Sequence, residues 1–389
     1  MQKILLFLTL LAVSALLLAQ TPDWQWVLQG GGNQCDEGLW VHCMPDFVYV
    51  SGQFYKTTSI GDTTLDGENS WTALLAECTK NGEWDFAMSL GLKKDNFQIM
   101  ETTFDDMYIY GASRFEAQVD AEIDILTSKG NYDFYVMKRV FGQDEIIWCV
   151  QAGGTERDEI LGIDVDQNDN CYITGRFAGT AEFGSFSLSS KDGNDIFVAK
   201  ISKDGRWLWA TSAGGQAHDG GNGIAVDKYG NVYVTGALQV DAEFGNTNLT
   251  ASGTEGYSDI FIAKLDPDGN WIWAKSVGGK YTEYANDIDV DENGQIFVAG
   301  VFEENLIIAG NSFHSKGGTD IFVAKADTDG VWQWSISAGG LSYDVVQGID
   351  VDKDGSIYIT GYFKGKSNFG SHTVSVDDEK DLFVAKIVE

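Results

Sequence analysis

Through most of the chain, apolar and polar residues alternate with a period of two. Ile224-Ala225-Val226-Asp227, Val232-Tyr233-Val234-Thr235-Gly236 and Asp195-Ile196-Phe197-Val198-Ala199-Lys200 are representative. Successive side chains of a strand point to opposite faces, so β-branched and aromatic residues in such runs predict strands with at least one buried face. The runs end at clusters such as Tyr229-Gly230-Asn231 and Asp266-Pro267-Asp268-Gly269-Asn270, built from the residues that tight turns require. Beyond the N-terminal segment no stretch carries the 3.6-residue period of a helix. The expected fold class is all-β.

The strands recur as a set. A Trp-x-Trp slot appears at Trp24/Trp26, Trp207/Trp209, Trp271/Trp273 and Trp332/Trp334, with variants at Trp84/Phe86 and Ile146/Trp148. After it come Ala-Gly-Gly or a relative, an alternating strand, a turn and a second strand ending in Gly. A variable loop follows, often with Phe-Gly (Phe183-Gly184, Phe244-Gly245, Phe369-Gly370), then a closing strand of the Asp-Ile-Phe-Val-Ala-Lys type. Six such repeats of about 61 residues, each with four strands, predict a six-bladed β-propeller of four-stranded antiparallel blades. A lone tryptophan strand, Trp24 to Leu28, opens the series and a lone strand, Asp381 to Lys386, ends it. The ring is therefore expected to close by the N-terminal Trp-x-Trp strand completing the last blade, which removes both sheet edges.

Gly223-x-Ala225-Val226-Asp227 with Gly230-Asn231-Val232-Tyr233-Val234-Thr235-Gly236, and the Asp195–Lys200 strand, resemble the SBBP-type bacterial β-propeller repeat family. The resemblance covers roughly residues 144–389 and weakens in the first two repeats, where the closing strands read Thr72-Ala73-Leu74-Leu75-Ala76-Glu77 and Asp133-Phe134-Tyr135-Val136-Met137-Lys138. It implies a propeller in an exported or envelope protein. It implies no reaction.

The N-terminal segment changes the picture of location. Gln2 and Lys3 precede an apolar or small run from Ile4 to Ala19, shorter than the about 20 residues of a membrane span and suited to the core of a secretory signal. The expected organisation is a signal peptide over 1–19 and a single propeller domain over 20–389. The destination is the cell exterior, the periplasm or the envelope surface, and no later apolar run is long enough to span a membrane. A formal charge of −32 repels nucleic acid and anionic surfaces and favours solubility and cationic partners. Five cysteines at irregular spacing do not make a disulfide framework. Cys78, Cys149 and Cys171 fall where other repeats carry Ile201, Ala210 and Val232, so they read as small core residues. Cys35 and Cys43 are left as a pair without a pattern that demands bonding.

Candidate chemistry is sparse. Ten of twelve tryptophans occupy the repeated slot, where spacing of two puts both rings on one strand face; they read as packing between blades, leaving Trp40 and Trp71 unassigned. Asp350-Val351-Asp352-Lys353-Asp354-Gly355 and Asp289-Val290-Asp291-Glu292-Asn293-Gly294 imitate calcium loops, but Gly361 and Gly300 stand where the bidentate Glu is needed. Hairpin turns explain both. One acid per repeat, at Asp36, Asp95, Asp158, Asp219, Glu283 and Asp344, precedes the alternating strand. Six residues later comes a second tier: His42, Glu101, Asp164, Asp289 and Asp350, interrupted by Ala225. If that strand is innermost, the tiers approach the central channel. They are expected either to cap the turns entering each blade or to form an acidic ring that binds a ligand. No cofactor is demanded, though such a ring would suit a divalent cation such as calcium. Four histidines, at four different points of the repeat, form no catalytic constellation, and no catalytic residue is assigned. The sequence thus points to a binding or scaffold module for a protein or glycan partner on a loop face, with Gln53–Lys56 and Arg114–Glu116 as candidate recognition loops. The alternative is a polysaccharide-processing hydrolase or lyase with acids at the channel mouth.

Overall fold

The structure, a computed structural model, describes residues 21–389 apart from 94–100, 105–107, 122–123, 141–142, 144 and 253–255, together with the side chains of 90–93, 101–104 and 378. The expected signal segment, Asp95 and the Glu101 side chain lie outside the described residues.

Every regular element among the described residues is a strand. β1 (Asp23–Gly30) is followed by strands in six successive sets. The first set is β2 (Asp36–Cys43), β3 (Phe47–Ile60), β4 (Thr63–Thr79) and β5 (Trp84–Lys93). Next come β6 (Glu101–Phe104) and β7 (Tyr108–Phe115), a small hairpin of β8 (Gln118–Asp120) and β9 (Ile125–Thr127), then β10 (Asp133–Val140) and β11 (Ile146–Gly154). The third set is β12 (Glu159–Val165), β13 (Cys171–Phe183), β14 (Phe186–Ile201) and β15 (Trp207–Gly215). The fourth runs β16 (Gly220–Val226) and β17 (Val232–Leu238), the hairpin β18 (Asp241–Phe244) and β19 (Thr247–Thr250), β20 (Asp259–Leu265) and β21 (Trp271–Val277). Then follow β22 (Glu283–Val290), β23 (Ile296–Ile308), β24 (Asn311–Ala326) and β25 (Trp332–Gly340). The last three strands are β26 (Asp344–Val351), β27 (Ile357–Phe369) and β28 (His372–Val388). Within each unit the strands pair antiparallel in chain order. β1 pairs antiparallel with β28, Leu28 opposite Val384 and Trp24 opposite Ile387.

Alternation builds the core between units. Phe134 and Val136 of β10 meet Ile160, Ile173, Phe177 and Phe197 of the following unit, all buried. Phe297, Ile321 and Val323 meet Ile359, Phe363 and Phe383 in the same manner. The two tryptophans of the slot do different jobs. The first, as in Trp207 over Phe183 (5.5 Å, edge-on), packs within its own unit. The second reaches the next: Trp148 Nε1 donates to Lys203 O (2.9 Å) and Trp209 Nε1 to Pro267 O (3.0 Å). Both rings therefore tie units together, since the first also donates backwards, Trp84 Nε1 to Gln29 O (3.0 Å) and Trp271 Nε1 to Ser212 O (3.2 Å). Where a repeat closes on Lys, the ammonium lies on an aromatic ring, as Lys200 on Tyr172 (4.7 Å) and Lys264 on Tyr233 (4.9 Å); the first repeat has Glu77 instead.

The Ala-Gly-Gly segment joins neighbouring units. Gly153 and Gly154 pair with Glu182 and Ala181, and Gly339 and Gly340 with Asn368 and Ser367. A Cβ on Gly154 would lie 1.9 Å from Thr180 O, so only glycine admits the approach.

Two expectations need correction. Gln53–Lys56 is not a loop but the middle of β3, with Phe54 in the core; Arg114 and Phe115 end β7, and Phe115 is likewise buried. Without the shared motif, nothing in the sequence of these two repeats marks Phe54 and Phe115 as strand core rather than loop. The cysteines are all free thiols, and Cys35 and Cys43 do not bond to each other.

Candidate functional site

The first strands of successive units adjoin: β12 lies beside β16, β16 beside β22, β22 beside β26, and β26 beside β2. These strands surround a cavity of about 140 Å³ lined by Trp40, His42, Asp164, Asp287, Asp289 and Asp350, among others. The second acid tier therefore faces the cavity, apart from Glu101, whose side chain is not described. Among its neighbours is Ala225, where the tier is interrupted.

The first tier does not line it. Asp36, Asp158, Asp219, Glu283 and Asp344 are buried where the chain enters each first strand. Each accepts the amide four residues earlier: Gly32 (2.9 Å), Gly154 (2.6 Å), Gly215 (2.9 Å), Gly279 (3.0 Å) and Gly340 (2.7 Å). The carboxylate thus locks the turn after the Gly-Gly junction. Burial pushes Asp36, Asp158, Asp219 and Glu283 up to about 7 and Asp344 to about 6. In Glu283 the second oxygen is buried without a hydrogen-bond partner, which is where a proton sits at little cost.

The second tier clasps adjacent strands. Asp164 Oδ1 accepts the Val165 amide and Oδ2 the Val226 amide of the next unit, both at 2.7 Å. Asp289 does the same with Val290 and Val351, again at 2.7 Å. Asp350 accepts the Cys43 amide at 2.6 Å, linking β26 to β2. These bonds use the carboxylates as acceptors for strand amides that the ladder leaves open. Burial raises Asp164 to about 7. Asp289 is pushed well up by burial and by the charges of Asp350 and Asp164. Burial alone would raise Asp350, but the His42 imidazole, 3.3 Å away, outweighs it and holds that carboxyl low; burial would lower His42, and Asp350 in turn holds it up.

Two cavity residues escaped sequence reasoning. Five of the first strands, β6 excepted, carry a β-bulge, and the residue after it is Gly162, Gly223 or Gly348 in three units. Trp40 and Asp287 replace that glycine in the other two. Asp287 accepts the Ile288 and Ile349 amides at 2.9 Å, a further clasp, and burial raises it to about 7. The departure from Gly-Ile at Asp287-Ile288 was the available signal. Bulged residues add their own ties, Asn222 Nδ2 to Ala285 O (2.8 Å) and Asn286 Nδ2 to Val346 O (2.6 Å).

The calcium-loop imitations are Asx turns. Asp352 Oδ1 accepts the amides of Asp354 and Ser356, and Asp291 Oδ1 those of Asn293 and Gln295, at 2.8–2.9 Å. Among the described residues no group of three or more His, Cys, Asp or Glu is arranged to hold a metal ion. The histidines stay apart: His42 faces the cavity, His314 meets Asn305 and His372 meets Trp24 O.

Residues 209–237 and 333–369 match SBBP, a β-propeller repeat. The resemblance seen in the sequence holds in those segments. An uncharacterized WD repeat-containing protein of Acanthamoeba polyphaga mimivirus is 26% identical over 223 residues, 48% of this chain and 16% of the relative. The regulatory protein FlaEY of Caulobacter vibrioides is 28% identical over 139 residues, 35% of this chain and 14% of the relative. The chain thus matches only a small part of either relative's length. A gluconolactonase structure from Xanthomonas campestris superposes with a TM-score of 0.36 at 11% identity, over 92% of this chain and 97% of that one. So loose a likeness carries nothing about activity.

Proposed function

We propose that the chain is an exported, closed six-bladed β-propeller that acts as a binding or scaffold module, presenting a protein or glycan partner with the loops of one face. The pairing of β1 with β28 and the Asp350–Cys43 clasp support closure by a shared last blade. The apolar run Ile4–Ala19 supports export to the periplasm, the envelope surface or the medium, and no described helix is long and apolar enough to cross a membrane.

One observation carries the choice of a binding role over the hydrolase or lyase alternative. Of the described cavity carboxylates, Asp164, Asp287 and Asp289 each hold two strand amides, and Asp350 holds the Cys43 amide and the His42 imidazole. A general acid or nucleophile needs an oxygen facing substrate. The cavity is also smaller than the about 300–1,000 Å³ of ordinary ligand sites.

The test is to incubate residues 20–389 with a panel of neutral and acidic polysaccharides while following retention and product release. Saturable retention without product is expected. Release of reducing ends or unsaturated ends, lost in Asp164→Asn, would establish the enzyme instead.

A further inference from the structure

The chain has five arginines, Arg114, Arg139, Arg157, Arg176 and Arg206, against a formal charge of −32. Three of the five converge on one carboxylate. Arg114 from β7 reaches Glu159 Oε1. Arg157, in the turn entering β12, gives Nε to the same oxygen at 2.9 Å, and Arg176 of β13 gives Nε to Oε2 at 2.7 Å. The Tyr132 ring stands between Arg114 (5.3 Å) and Arg157 (5.6 Å).

The repeat supplies its own control. Glu159 and Arg176 face each other across the ladder. The equivalent pairs are Gly220–Ala237, Tyr284–Val301 and Val345–Tyr362. Those units fold without a charge at either place, so the fold does not call for the cluster. The first unit has Glu37–Gln53, with Lys380 on the Glu, and no arginine.

The exposures divide the labour. The Glu159 side chain is 2% exposed, whereas Arg157 and Arg176 are 52% and 40% exposed. Each of the two gives Nε and Nη2 to the buried carboxylate, which leaves its Nη1 amino group outside that bond. Burial would push the Glu159 carboxyl up, but Arg176 and Arg157 outweigh it and hold it below the usual range, so it stays an anion and fixes both guanidiniums. Planar forks held rigid in this way recognise carboxylates.

We propose that Arg157 and Arg176, oriented by Glu159, form a binding site for the carboxylate of an acidic saccharide. A saccharide fits better than an acidic peptide because the strands and turn that carry the cluster expose no large apolar side chain, and peptide docking depends on such anchors. The site deepens the binding-module reading and rests on it.

Calorimetric titration with a uronate oligosaccharide, its carboxyl-reduced neutral counterpart and poly-glutamate, at pH 7 and ~0.15 M salt, tests it. The uronate binds saturably and the neutral sugar does not; Arg157→Gln with Arg176→Gln, measured well below its own melting transition because Glu159 loses two partners, weakens the uronate about tenfold or more. Arg157→Lys with Arg176→Lys, which keeps the charge and loses the fork, is weakened as well. Equal binding by the variants, equal binding of the neutral sugar, or no saturable binding overturns the site. Preference for poly-glutamate overturns the saccharide while leaving a binding module. Turnover of the sugar into product removes the module reading itself.

Discussion

Gly205 shows how a single residue secures contact between units. It takes φ +76° in the turn before β15, and a Cβ there would stand 2.8 Å from Trp148 Cγ in the preceding unit. Alanine would incur both the left-handed backbone strain, roughly 1–2 kcal/mol, and a collision with the indole. Gly355 has φ +80° with nothing within 4 Å, so its alanine variant bears the backbone term alone. Gly205→Ala is therefore expected to lower the denaturant midpoint more than Gly355→Ala; equal losses would show that the Trp148 contact is not tight. The turn glycines were legible in the sequence, as was the tryptophan spacing, but which ring crosses to the next unit was not. That depends on the reach of each indole from its strand. Arg114, Arg157, Glu159 and Arg176 were illegible as a cluster for a related reason: spread over 63 positions in the chain, they meet only through the β12–β13 ladder and the neighbouring β7.

At the scale of elements, the two-residue period identified the strands, and every regular element among the described residues is one. Cys78, Cys149 and Cys171 take the same ladder positions as Ile201, Ala210 and Val232, as their place in the repeat implied. What stayed hidden was the bulge in five of the first strands, because a bulge changes register without changing composition. It turns Asn222 and Asn286 toward the neighbouring strand and sets Asp287 among the clasps. The acids were visible as tiers, yet the sequence held two readings of them open. Hydrogen bonding shows the first tier at turn amides and the second at amides of two strands.

For the whole molecule, these buried acids couple stability to pH. Burial raises Asp36, Asp158, Asp164, Asp219, Asp287 and Glu283 to about 7, above their values near 4 in an unfolded chain. The folded state then binds more protons than the unfolded state between about pH 4 and 7, and stability falls as pH rises through that window. The melting temperature is expected to be higher at pH 5 than at pH 8. At ~0.5 M salt, where repulsion among surface charges is screened, the slope should persist; a flat or inverted profile there would mean that the amides hold these groups ionised throughout.

The most direct measurement compares the melting temperature of Asp164→Asn/Asp289→Asn with that of the parent chain at pH 8, in chelator and in millimolar calcium. If these carboxylates clasp neighbouring strands, each substitution sets an amide donor against a strand N–H and leaves it without an acceptor, at about 1–3 kcal/mol each. At about 2.1 cal/mol/K of unfolding entropy per residue, the double variant should melt roughly 3–8 °C lower, with calcium changing neither protein. If they are instead a repelling ring kept for a ligand, removing two charges leaves the melting temperature unchanged or raises it. That result, or a calcium-dependent rise present only in the parent, would contradict the structural role assigned to them here.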